Sequence, residues 1–139
     1  GIARALALLG SAPFLVVNAD VWTDFPFASL RTALQPGDLC HLVLVANPGH
    51  HPQGDFGLDA RNRLHLLQDI AGPAYTYSGI GVFAPALFQD LPAPRYPLFP
   101  LLKQAIASHS ASARLYGGIW ADIGTEERLI SLDRSLACS

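Results

Sequence analysis

The chain has 139 residues, a size that suits one domain able to bury a real core. Half of its residues are hydrophobic, 14% are charged and the net charge is −2, so nothing electrostatic favours nucleic acid or an anionic membrane as a partner. The longest apolar runs, such as Leu42 to Ala46, fall far short of a bilayer span.

Gly1-Ile2-Ala3-Arg4-Ala5-Leu6-Ala7-Leu8-Leu9 has helical spacing and no capping residue ahead of it. A start in mid-helix, in a sequence without methionine, leads to the expectation that the chain is a fragment rather than a complete product. Gly10 to Pro13 turn into Phe14-Leu15-Val16-Val17, an apolar run that predicts a strand buried on both faces, as in a parallel sheet. Asn18-Ala19-Asp20 comes at its carboxyl end. Residues 27–34 predict a short helix stopped by Pro36-Gly37, and residues 39–46 a second buried strand.

Next comes a loop containing Asn47-Pro48-Gly49-His50-His51-Pro52. Residues 54–58 and 63–67 read as two strands joined through Asp59-Ala60-Arg61-Asn62, a hairpin. Residues 75–83 predict a further strand with Ser78-Gly79 inside it, where glycine often marks close approach by a ligand or another backbone. Residues 85–88 begin a helical turn. Pro92, Pro94, Pro97 and Pro100 predict a loop before a helix over 101–108, whose apolar face reads as core. Residues 113–116 form a short strand that Gly117-Gly118 bends. Ile119 to Gly124 then leads, with Asp122 in a loop, to a last helix capped by Thr125 and running over 128–136. Alternating strands and helices predict an α/β sheet with a small hairpin excursion. No repeat or composition shift divides it, so residues 1–139 read as a single domain.

Cys40 and Cys138 lack the spacing of a metal site or a disulfide framework and read as reduced thiols of a cytoplasmic protein. His50-His51 raises the question of a metal site, but adjacent histidines in a Pro/Gly loop point in different directions. Ser, His and Asp all occur, yet no Gly-x-Ser-x-Gly elbow does, which argues against a hydrolase triad. The apolar fraction points to a face covered by another segment or by a second copy of the chain, a homo-oligomer.

The constellation that carries chemistry is Asn18-Ala19-Asp20 with Trp120-Ala121-Asp122-Ile123-Gly124-Thr125. Phosphoryl chemistry on a nucleoside triphosphate needs Mg²⁺, which one or two carboxylates hold together with waters and phosphate oxygens. Two aspartates far apart in sequence, converging on one sheet edge, would supply them. By spacing alone Asp20 reads sooner as a turn residue and Asp122 as a helix-flanking one than as metal ligands.

The surrounding words add a resemblance. Phe14 to Asp24 resembles the strand-Asn-Gly/Ala-Asp motif of nucleoside-diphosphate-sugar pyrophosphorylases, Ala19 standing where Gly is usual. Asn47-Pro48-Gly49-His50-His51-Pro52-Gln53-Gly54-Asp55-Phe56, Tyr77-Ser78-Gly79-Ile80 and the stretch from Trp120 to Leu129 are similar to the bacterial N-acetylmuramic acid α-1-phosphate uridylyltransferases. The likeness runs in order over nearly the whole chain.

It implies the carboxy-terminal half of a Rossmann-like nucleotidyltransferase fold, with a mixed, mostly parallel sheet and a small hairpin. It further implies uridylyl transfer from UTP to a sugar 1-phosphate in peptidoglycan recycling, with nucleoside triphosphate and sugar phosphate as small-molecule partners. Asp20 and Asp122 would be the catalytic Mg²⁺ ligands. Asn18, Gly54, Asp55, Ser78 and Gly79 would bind substrate, Asn18 near the sugar phosphate or ribose and the others around the sugar. The family's glycine-rich triphosphate loop would precede Gly1, so these residues alone would be inactive. Transfer of another base to a hexose 1-phosphate, and a non-catalytic sugar-phosphate-binding module, are the rival readings.

Overall fold

A computed structural model of the chain describes residues 12–89 and 97–123. In chain order these form β1 (Phe14–Val17), β2 (Val21–Thr23), a 3₁₀ turn (Phe27–Leu30), β3 (Cys40–Val45), β4 (Phe56–Leu58) and β5 (Leu64–Leu66). After a second 3₁₀ turn (Leu67–Asp69) come β6 (Ala74–Phe83), a third turn (Pro85–Phe88), α1 (Leu98–Ala107), β7 (Ala111–Leu115) and β8 (Trp120–Asp122). The expected opening and closing helices, with Thr125, Cys138, Pro92 and Pro94, lie outside the described residues. Among the described residues no helix is long and apolar enough to cross a membrane.

The strands make a mixed sheet in the order β5-β4-β6-β3-β7, with β1 also paired to β6, and β2 and β8 make a separate two-stranded ribbon. Among the described strands β3 and β7 run parallel, while every other pair is antiparallel. The mixed α/β sheet and its hairpin are thus as the sequence predicts, but among the described strands the pairing is mostly antiparallel rather than mostly parallel.

β3 is the centre of the sheet, and every one of its six residues is buried. Its alternation divides the core. Cys40, Leu42 and Leu44 face one cluster with Leu101, Leu102, Ala105 and Ile106 of α1, residues whose spacing makes one helical stripe. Val43 faces a second cluster with Phe25, Leu30 and Ile80. Leu42 and Leu44 are fully excluded from solvent, so truncating either to alanine removes about 2–5 kcal/mol.

Several expectations are corrected. β1 is not buried on both faces: Leu15 and Val17 are 44% and 40% exposed, and the strand pairs antiparallel with β6. A four-residue apolar run carries no periodicity that separates a central strand from a flanking one. The predicted 27–34 helix is a single 3₁₀ turn. α1 begins at Leu98, with Pro97 before it and Pro100 inside its first turn. The first-turn N–H groups have no intrahelical partner, so proline loses nothing there. Asp122 closes strand β8 rather than lying in a loop.

One irregularity in β6 positions the candidate site. Leu42 pairs with Gly81 but Leu44 pairs with Tyr77, so two extra residues are accommodated around Ser78-Gly79-Ile80. Gly79 sits at φ +85°, a conformation that side chains with a Cβ rarely adopt.

Candidate active site

The two aspartates meet through the β2·β8 ribbon. Val21 pairs with Asp122 and Thr23 with Trp120, and the Ile123 N–H donates to the Asp20 carbonyl at 2.7 Å. Asp20 and Asp122 therefore stand diagonally across one short ladder, although 102 positions separate them in the chain. The β6 bulge seats the ribbon. Asn18 N–H donates to Gly79 O at 2.9 Å, and the Trp120 indole N–H donates to Ser78 O at 2.9 Å. Gly79 is required here, because a Cβ at that position would stand 2.7 Å from the Asn18 amide nitrogen.

Between these elements lies a cavity of about 210 Å³ whose wall includes Asn18, Asp20, His50, Tyr77, Ser78, Gly79, Trp120 and Asp122. Larger hollows exist, including one of about 620 Å³ beside the hairpin. The small one is the better candidate because it alone of these gathers the two aspartates, from segments at opposite ends of the chain.

The fourth side of the cavity is the loop of residues 47–55, whose ends are tied down. The Asn47 amide donates to Pro52 O at 3.2 Å and Ala74 O at 3.1 Å, and its oxygen accepts the Thr76 hydroxyl at 2.8 Å. Asp55 N–H donates to Tyr75 O at 2.7 Å. The Asp55 carboxylate accepts the Tyr77 N–H at 2.8 Å and contacts His51 Nε2 at 2.9 Å. Bent back this way, the loop places His50 Nε2 3.0 Å from Asp122 Oδ2.

Of the residues singled out from sequence, Asn18, Asp20, Ser78, Gly79 and Asp122 share one cavity. Gly54 and Asp55 lie outside its wall. Gly54, at φ +75°, packs its backbone where a Cβ would meet Asn47 Oδ1 at 2.8 Å, and Asp55 braces the loop. Ser78 is 1% exposed, and its hydroxyl accepts the Ile80 N–H at 3.2 Å, so it shapes the bulge. Tyr77 lines the cavity wall, and its ring packs with the α1-side core. Its buried hydroxyl has no hydrogen-bond partner among the described residues, and desolvation, with Cys40 nearby, raises its pKa. It therefore stays protonated.

His50 is a site residue that the sequence alone does not single out. Its one signal there is the adjacent pair His50-His51, whose members are expected to point apart. They do point apart, His50 to Asp122 and His51 to Asp55.

Among the described residues no group of three or more His, Cys, Asp or Glu side chains is placed to hold a metal ion. Two carboxylates at one half-buried ribbon are a poor zinc or calcium cage. They suit a cation that completes its shell with water and phosphate oxygens, as Mg²⁺ does.

No family model matches the chain. Curated relatives do. The chain is 42% identical over 135 residues to the N-acetylmuramate alpha-1-phosphate uridylyltransferase of Neisseria meningitidis serogroup B, covering 93% of this chain and 57% of that protein. It is 27% identical over 145 residues to the protein of the same name from Caulobacter vibrioides, covering 99% and 60%. The chain thus spans well under two thirds of the length of these relatives. Among solved structures, HddC from Yersinia pseudotuberculosis aligns with a TM-score of 0.76 at 15% identity, over 97% of this chain and 60% of that one. A putative glucose-1-phosphate thymidylyltransferase from Bacillus anthracis aligns with a TM-score of 0.71 at 14% identity, over 96% and 58%. By sequence, then, the chain is a homologue of proteins named N-acetylmuramate alpha-1-phosphate uridylyltransferase, and its fold is that of these solved structures.

Proposed function

We propose that the protein carrying this chain transfers a uridylyl group from UTP to N-acetylmuramic acid 1-phosphate, giving a UDP-sugar and pyrophosphate for peptidoglycan recycling. The observation that carries this reading is the register of β2 against β8, which sets Asp20 beside Asp122 at one cavity. The names of the relatives support the choice of base and sugar.

In this reaction an oxygen of the sugar phosphate attacks the α-phosphorus in line with the bond to the leaving group. A new P–O bond forms, the bond to the bridging oxygen of the pyrophosphate breaks, and the electron pair leaves with pyrophosphate. The nucleophile is already an anion, so no general base is needed and catalysis is a matter of positioning and charge neutralisation. Asp20 and Asp122 would hold Mg²⁺, which supplies Lewis-acid neutralisation of the crowded phosphate oxygens. Asn18, locked through its backbone to Gly79, lines the cavity region where a sugar phosphate or ribose would lie. The Ser78-Gly79 bulge holds Asn18 and Trp120 at the cavity, the missing Gly79 Cβ making room for the Asn18 side chain. Trp120, fixed by its indole bond to Ser78 O, closes the cavity against rearrangement of the ribbon.

The test is direct. The protein carrying this chain, incubated with UTP, Mg²⁺ and N-acetylmuramic acid 1-phosphate, should release pyrophosphate and form the UDP-sugar. dTTP, CTP or GTP, or glucose 1-phosphate in place of the muramic sugar, should react much more slowly. Equal or faster turnover with those alternatives would overturn the assignment of base and sugar, and absence of turnover with all of them would overturn the enzyme reading.

A further inference from the structure

We infer that His50 is a positioning residue for Asp122, and that the braces of the 47–55 loop serve to hold it there. The inference rests on the metal-site reading above and deepens it.

The contact itself is modest. His50 Nε2 lies 3.0 Å from Asp122 Oδ2, with the two side chains 39% and 25% exposed. A solvent-screened pair of this kind contributes little stability and cannot by itself order a loop. The ordering comes from elsewhere. Asn47 makes three side-chain hydrogen bonds, to Pro52, Ala74 and Thr76. At the other end Asp55 bonds Tyr75 and Tyr77 of β6 and the neighbouring His51. Gly54 completes the fit, since a Cβ there would collide with Asn47 Oδ1. Both anchors lie on β6, the strand whose bulge also seats Asn18 and Trp120. One strand therefore fixes the histidine and the ribbon bearing the aspartates in a common frame.

His50 acts through Asp122 rather than on the cation. Its Nε2 is already engaged by the carboxylate, and Mg²⁺ prefers oxygen donors. What the bond supplies is orientation. The bond fixes Asp122 Oδ2 at 3.0 Å from the ring, and hydrogen bonds to ligating groups commonly raise metal affinity about 10–100-fold.

Mn²⁺ binding measured by electron paramagnetic resonance tests this in the protein carrying this chain, with melting temperature as the control for folding. Asp122→Asn should abolish tight Mn²⁺ binding. His50→Ala should weaken it about 10–100-fold with little change in melting temperature. His50→Gln, whose amide can still donate to Asp122, should recover much of the loss. Asp55→Ala should weaken binding in the same direction through the loop. Unaltered Mn²⁺ affinity in His50→Ala, with binding lost in Asp122→Asn, would overturn the role of His50 and leave the metal site standing. Unaltered affinity in Asp122→Asn would overturn the metal site and the inference together. Unaltered affinity in Asp55→Ala alone would overturn the part given to the braces.

Discussion

At the hairpin end of the molecule Asp59 Oδ1 accepts the backbone N–H groups of Arg61 and Arg63 at 2.8 and 2.9 Å, and its Oδ2 meets His65 Nε2 at 2.8 Å. At the cavity Asp122 meets His50 at 3.0 Å. Both are histidine–aspartate pairs near an exposed loop, yet they do different work. These partners of Asp59 all lie within six positions of it, and the bonds, the one to His65 first, hold its pKa down to about 2. Such a carboxylate turns both of its oxygens to its own turn. The turn is fastened further by Arg63, which grips Asp38 through two nitrogens at 2.9 and 3.1 Å. His50 and Asp122 are 72 positions apart, and only the closure of the whole sheet brings them together. In this pair the carboxylate with near partners keeps a local shape, and the one with a distant partner is brought by the fold to the cavity.

The largest effect expected from that contrast is on rate. In the protein carrying this chain, Asp20→Asn and Asp122→Asn should each lower turnover by about a thousandfold or more with folding intact. The double variant should be scarcely worse than either single one, because both serve one ion. Asp59→Ala should leave turnover unchanged. Comparable rate losses at Asp59 and Asp122 would erase the distinction.

Gly79→Ala addresses the bulge that seats the ribbon. Its φ of +85° and the 2.7 Å approach to Asn18 predict a loss of about 1–3 kcal/mol in denaturant unfolding. Turnover should fall as well, since Asn18 must move. A smaller destabilisation is expected at the hairpin, where Asp59→Ala removes the acceptor for two backbone N–H groups and should cost about 1 kcal/mol.

Acid separates the regions most finely. Burial, with the Arg114 guanidinium beside it, lowers the pKa of His41 from 6.5 to about 4, partly offset by Asp38. Arg114 Nε donates to His41 Nε2 and the other ring nitrogen lies 2.8 Å from Ser112 Oγ, so the folded ring is neutral. The unfolded chain binds a proton there that the folded chain refuses. The contribution of His41 is therefore whole above pH 6.5 and is lost as pH falls through about 4. That of Asp59, whose pKa is lowered from 3.8 to about 2, is whole above about pH 4 and is lost as pH falls through about 2. Melting temperature measured against pH should show that His41→Asn flattens the first window only and Asp59→Ala the second only.

The sequence by itself determined whatever is local. The run 39–46, apolar but for His41, reads as a buried strand, and Asp59 to Asn62 turn a hairpin. The Asn-Ala-Asp and Trp-Ala-Asp words were enough to single out both aspartates. The tertiary structure decided which distant groups touch. β2 and β8 are three residues each, too short to show a period, and their pairing depends on the β6 bulge and the Trp120 indole bond rather than on propensity. The bulge is invisible in Tyr77-Ser78-Gly79-Ile80 except as a glycine in a strand, because register is a property of two strands at once. Gly54 and Asp55 stand in the right words but brace the loop, while His50 in the same loop reaches the aspartate. Side-chain direction in an irregular loop is set by the anchors at its ends, and those anchors, Ala74 to Tyr77 of β6, lie about twenty positions or more away in the chain.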